Sequence, residues 1–122
     1  MISIRLKDLL MAQYAFNRFM NTPMTPRQAM LFVGVGERLQ DELQEFNIAH
    51  KSLILKHGLN ESIGQERTAK EHLINKELRE LSQETEINYP HEAVSLSKLR
   101  SIRISVLDLV MMQRIGIIKN GK

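Results

Sequence analysis

The sequence predicts a mainly α fold: a long helix paired with a shorter one as a hairpin arm, and a compact head. Short N- and C-terminal helices with at most a small β element would build that head. Three observations carry the prediction. A capping signal at Thr25–Gln28 opens an apolar run, and no turn signal follows it until Lys56-His57-Gly58. The next segment, residues 65–83, then repeats apolar residues among charges at helical spacing. At 122 residues the chain is long enough for one domain, residues 1–122. The head is expected over about 1–36 and 84–122, and the arm over about 37–83.

Ile2–Ile4 reads as a short strand, followed by a helix over 6–20. Thr25 then suits an N-cap, Pro26 the first helical position, and Gln28 the reciprocal member of a capping box. Gly58 suits the left-handed position after a helix, where Leu59 could touch Ile54. Residues 26–57 are therefore expected as one helix, roughly 48 Å long at 1.5 Å per residue. Gly34 and Gly36 would lie inside it, each costing about 1 kcal/mol relative to alanine. A phosphate loop would need a strand before these glycines and a Lys-Ser/Thr or third glycine after them, and neither is present. Close approach of another backbone is the alternative, which makes them a packing notch on the stripe Phe32, Gly36, Leu39, Leu43 and Phe46. Residues 29–35 are apolar on every side and are expected to be buried all round. From residue 37 the helix keeps one stripe, continuing through Ala49 and Leu53.

The second arm helix is expected over 65–83, opened by a Ser62–Gln65 capping box and packed through Ala69, Leu73, Leu78 and Leu81. A hairpin turning at 58–64 joins the two. Ile48, Leu55 and Ile74 fall off the stripe, so the arm is expected to present them outward. The remainder reads as an extended stretch, "TEINYPHEAVSL", in which Pro90 confines any strand to an edge or breaks it. Two short helices follow, the last capped by Ser105 with Asp108 three residues on. Residues 4–13, "IRLKDLLMAQ", and 104–113, "ISVLDLVMMQ", share five identities in ten. Either this is coincidence or both segments occupy similar seats around residues 29–36.

The chain offers little chemistry. It has no cysteine, which excludes disulfides, thiolate metal sites and cysteine nucleophiles. Arg5, Lys7 and Asp8 interrupt the N-terminal apolar stretch, so neither a secretory signal nor a membrane span is expected and the cytosol is the default. His50 and His57 stand seven apart, whereas chelation along one helix wants three or four. They read as helix-surface and helix-end histidines, His57 meeting the negative end of the dipole. Glu37, Asp41, Glu42, Glu45, Glu71, Glu77, Glu80 and Glu84 alternate with Arg38, Lys70, Lys76 and Arg79, as on a solvated face rather than in a catalytic cleft. No Gly-x-Ser-x-Gly turn occurs. No enzyme activity, metal or cofactor is therefore expected. Met11, Met20, Met24, Met30, Met111 and Met112 all fall in the expected head, and read as core fillers before binding surface.

The net charge is +3, with basic ends and an acidic centre: residues 37–92 carry seven basic and twelve acidic side chains. Mutual neutralisation is the simple reading. The minority reading is a weak nucleic-acid surface, with Arg100, Arg103, Arg114 and Lys119 as contacts and steep salt dependence. With six aromatic residues and no tryptophan, stacking platforms are poorly supplied.

The order of pieces resembles small, mostly uncharacterised helical proteins encoded by tailed phages and prophages. The matching residues are Pro26, "LQDELQEF" (39–46), "KHG" (56–58) and "ISVLDL" (104–109), and the Gly-Val-Gly of residues 34–36 departs from the pattern. The resemblance brings no catalytic residues. It implies a phage setting: docking on a phage or host protein during virion assembly, or, alternatively, inhibition of a bacterial defence system by binding an enzyme or sequestering its signalling ligand. The outward arm residues and the notch at Phe32, Gly34 and Gly36 predict a homo-oligomer, with a two-fold dimer as the commonest closure.

Overall fold

The Gln28 backbone N–H donates to Thr25 Oγ1 at 3.2 Å, and the Thr25 N–H donates to Gln28 Oε1 at 3.1 Å. This capping box starts a helix as the sequence predicts, but the helix is short. In the computed structural model, which describes residues 1–121, α3 spans Pro26–Met30 and stops, and α4 begins afresh at Val33 and runs to His57. Between them the chain tightens: Leu31 N–H reaches Gln28 O at 3.1 Å and Phe32 N–H reaches Ala29 O at 3.0 Å. The break turns Phe32 into the head, edge-on against Phe19 with ring centroids 4.9 Å apart. It also leaves Met30, Leu31 and Val33 exposed, so residues 29–35 are not buried all round. The expected single helix over 26–57 is corrected to two, and α4 is roughly 37 Å long rather than 48.

The other elements follow in order: β1 Ile2–Arg5, α1 Leu6–Met11, α2 Gln13–Met20, then after α4 a 3-10 turn Leu59–Glu61, α5 Gly64–Glu84, β2 Glu86–Tyr89, β3 Val94–Ser95, a second 3-10 turn Leu96–Lys98, α6 Val106–Arg114 and β4 Ile118–Lys119. The class is mainly α, with 66% of the chain helical and only short strands. β1 and β2 pair antiparallel, Ile2 opposite Tyr89 and Ile4 opposite Ile87. Ile2 and Ile4 point inward while Ser3 and Arg5 face out, the two-residue alternation of a half-buried strand. Pro90, which has no N–H to give a ladder, stands just past the end of β2. β3 and β4 pair in parallel, with Ser95 opposite Lys119.

Two apolar clusters hold the fold. The head buries Leu9, Phe16, Phe19, Phe32, Leu39, Met112 and Ile117. A smaller cluster in the arm joins Leu59, Ile74 and Leu78 to Phe46, Leu53 and Ile54. Gly58 closes α4 at φ 64°, ψ 38°, its N–H turned back to the Leu55 carbonyl at 3.2 Å. Ser105 caps α6, accepting from the Asp108 N–H at 3.1 Å.

The hairpin forms, but the second helix is rotated from the expected setting. Ser62 makes no cap: its hydroxyl donates to the Gly58 carbonyl at 2.9 Å and accepts from Lys70 Nζ at 2.7 Å, so it braces the turn. α5 therefore starts from Ile63, and its buried side is Ile74, Leu78 and Ser82. Leu73 is 43% exposed and Ile74 2%, the reverse of the expected arrangement, so Ile74 belongs to the arm core. Ala69 and Leu81 lie on the exposed side as well.

Candidate interaction surface

Gly34 and Gly36 stand in the first turn of α4. A Cβ on Gly34 would collide with the Tyr89 hydroxyl, and one on Gly36 with the Met20 methyl group. The notch is real, and two side chains of this chain occupy it rather than a neighbouring backbone. Tyr89 in turn meets His91 edge-on, with centroids 5.2 Å apart.

Of the other residues expected at an interface, Phe32 and Ile74 are core, whereas Ile48 and Leu55 are exposed on α4. These two lie two turns apart among charged neighbours, and isolated apolar side chains of this kind are normal on a surface. The arm charges behave as a solvated face: Arg38–Glu42, Arg67–Glu71 and Lys70–Glu66 pair at 3.1 Å, each four residues apart. His57 turns inward across the hairpin, its Nε2 3.4 Å from Glu77 Oε1. His50, His72 and His91 are exposed. Among the described residues no group of three or more His, Asp or Glu is placed to hold a metal ion. No helix of the described residues is long and apolar enough to cross a membrane.

The larger exposed apolar face is on the head. α2 and α6 are clamped by a bidentate pair, Arg18 Nε to Asp108 Oδ2 at 3.0 Å and Arg18 Nη2 to Asp108 Oδ1 at 2.8 Å. The hydrogen bond from Arg18 holds the Asp108 carboxyl below the usual carboxylate range, against the opposing effect of burial. Just before α2, Met11 at the end of α1 lines a cavity of about 240 Å³ together with Asp8, Met111 and Arg114. Residue 18 lies opposite 108 and residue 11 opposite 111, so the two segments run antiparallel. Met11 and Tyr14 occupy the exposed side of one, and Val106, Leu107 and Val110 that of the other. Residues three and four apart are neighbours on a helix, so Val106, Leu107 and Val110 make one exposed apolar face on α6, and Met11 and Tyr14 are exposed on the segment that Arg18 ties to it.

The sequence carried a signal for this face. Six of the nine residues of α6 are apolar, more than one buried stripe can use. The methionines divide accordingly: Met112 is core, while Met11 and Met30 are exposed. The similarity of residues 4–13 to 104–113 does not reflect similar seats. Leu6 is buried and Val106 exposed, whereas Asp8 is exposed and Asp108 buried.

The four basic residues considered for nucleic acid do not form one stripe. Lys119 lines a cavity of about 380 Å³ with Leu31, Val94 and Lys98. Arg100 lines no part of it and is tied by its carbonyl, which accepts from Gln28 Nε2 at 2.8 Å. Arg114 lines the separate cavity beside Asp8, and Arg103 is exposed in the irregular stretch before α6.

Compared with protein-family models, curated proteins and solved structures, the chain finds no match in any of the three.

Proposed function

We propose that this is a non-enzymatic interaction protein that docks through the head face of α1, α2 and α6, and that the first partner on this face is a second copy of itself. The observation that carries the reading is the exposed apolar face of Val106, Leu107 and Val110 on α6, with Met11 and Tyr14 exposed on the segment that the Arg18–Asp108 clamp ties to it. A contiguous exposed apolar patch with a polar rim marks a protein contact. Its rim carries both signs of charge, since Asp8 and Arg114 border the same cavity. That suits a two-fold contact, in which each residue meets its counterpart's neighbour. The resemblance to small helical phage proteins supplies the setting, docking of such a dimer on a phage or host protein during particle assembly. Light scattering after size exclusion, at tens of micromolar, tests the dimer: a mass of twice 14.1 kDa supports it and a clean monomer rejects it.

A further inference from the structure

A second surface, which shares no lining residue with the Asp8–Arg114 cavity, has different chemistry. Two adjoining cavities of about 380 and 440 Å³ share Leu31 and Lys98. The first is walled by Ala93, Val94 and Lys119, the second by Thr25, Arg27 and Gln28. Each falls within the range of about 300–1,000 Å³ common for small-molecule sites, which are mainly apolar with a few placed polar groups. Leu31 forms the shared apolar wall because the helix breaks there and leaves its side chain in the open.

We propose that this bilobed groove binds a small organic phosphate, the phosphate at Lys98 between Arg27 and Lys119 and the organic part against Leu31. None of these three cations makes an ion pair with a described residue. Among the described residues the groove's carboxylate is Glu92, which lies 3.0 Å from the Met1 amino group; that amino group, together with Lys119, holds its pKa below the ordinary value. The cations are also carried on built elements. Pairing of Ser95 with Lys119 in the β3–β4 ladder fixes one wall. Gln28 holds the other, because the side chain that completes the α3 capping box also donates to the Arg100 carbonyl at 2.8 Å. Ser101, at the end of that pinned segment, is held at φ 69°, a conformation that residues other than glycine rarely adopt. A concave site of this size favours a small ligand over a nucleic-acid backbone, which would need its cations in line along one face.

The test is fluorescence titration of the full chain with trinitrophenyl-ATP, followed by displacement with ATP, inorganic pyrophosphate or duplex DNA. The expected result is saturable one-to-one binding, displaced by ATP and only at about tenfold higher concentration by pyrophosphate, which lacks the organic part. Lys98→Glu, and separately Lys119→Glu, should weaken binding by at least about tenfold with an unchanged circular dichroism spectrum. Lys51→Glu, on the arm, should leave it unchanged. Absence of saturable binding up to millimolar probe, equal loss in Lys51→Glu, or displacement by pyrophosphate as readily as by ATP would each overturn the proposal. Displacement by DNA at lower phosphate concentration than ATP would reassign the surface to nucleic acid.

Discussion

The Tyr89 hydroxyl occupies the space that a Cβ on Gly34 would need. Two glycines that weaken a helix start are thereby explained by side chains, Tyr89 over Gly34 and Met20 over Gly36, that reach across from other elements. The two contacts differ in how easily they yield. A phenol ring at the end of a paired strand moves as a rigid plate, whereas a methionine methyl can change rotamer.

Gly34→Ala should therefore destabilise by up to about 2 kcal/mol, overpacking of about 1–3 kcal/mol being partly offset by the better helix propensity of alanine, worth about 1 kcal/mol. Gly36→Ala should stay within about 1 kcal/mol of the parent, because Met20 can swing aside. Tyr89→Phe removes the colliding oxygen, so Gly34→Ala should cost at least about 0.5 kcal/mol less in that background. Urea denaturation of the four proteins of this cycle measures the difference. Additive costs would mean that Tyr89 is not what fills the notch.

The rotation of α5 makes a sharper contrast, since adjacent residues exchange the roles that their periodicity assigns. Ile74→Ala should cost about 2–5 kcal/mol by emptying the arm core, and Leu73→Ala less than about 1 kcal/mol. The opposite order in chemical denaturation would restore the stripe through Leu73.

These cases show which parts of the fold were legible. The side-chain caps at Thr25 and Ser105 and the left-handed glycine cap at Gly58 were legible, because each depends on neighbours within a few residues. The rotation of α5 was not, because the hydroxyl of Ser62 is used by the turn and by Lys70, and a turn's geometry decides which side of the next helix faces in. The break at Leu31–Phe32 was missed for a related reason. No proline or capping residue marks a stop there, and the contact that accompanies the break, Phe32 edge-on against Phe19, comes from α2, far away in the sequence. The head face was half legible, in the excess of apolar residues on α6. Its partner α2 was visible only once Arg18 met Asp108.

That ion pair has a pH signature. Its hydrogen bond from Arg18 lowers the Asp108 pKa on folding, below the ordinary carboxylate value of about 3.9. The stability it contributes is thus fully present above about pH 4 and is lost as the pH falls through the folded value. Asp108→Asn should destabilise the protein at pH 7, and the gap to the parent should narrow below pH 4. Thermal melts across that range check it. A gap independent of pH would show that Arg18 does not hold the carboxylate.

Sedimentation equilibrium of two charge-introducing variants tests the docking face most directly. Leu107→Glu places a carboxylate in the head patch, and Leu55→Glu places one on the arm; both positions are 78% exposed, so neither change should disturb folding. The head face predicts that Leu55→Glu keeps the parental mass of twice 14.1 kDa while Leu107→Glu sediments as a monomer. A dimer that survives Leu107→Glu but is lost in Leu55→Glu would contradict it and move the interface to the arm.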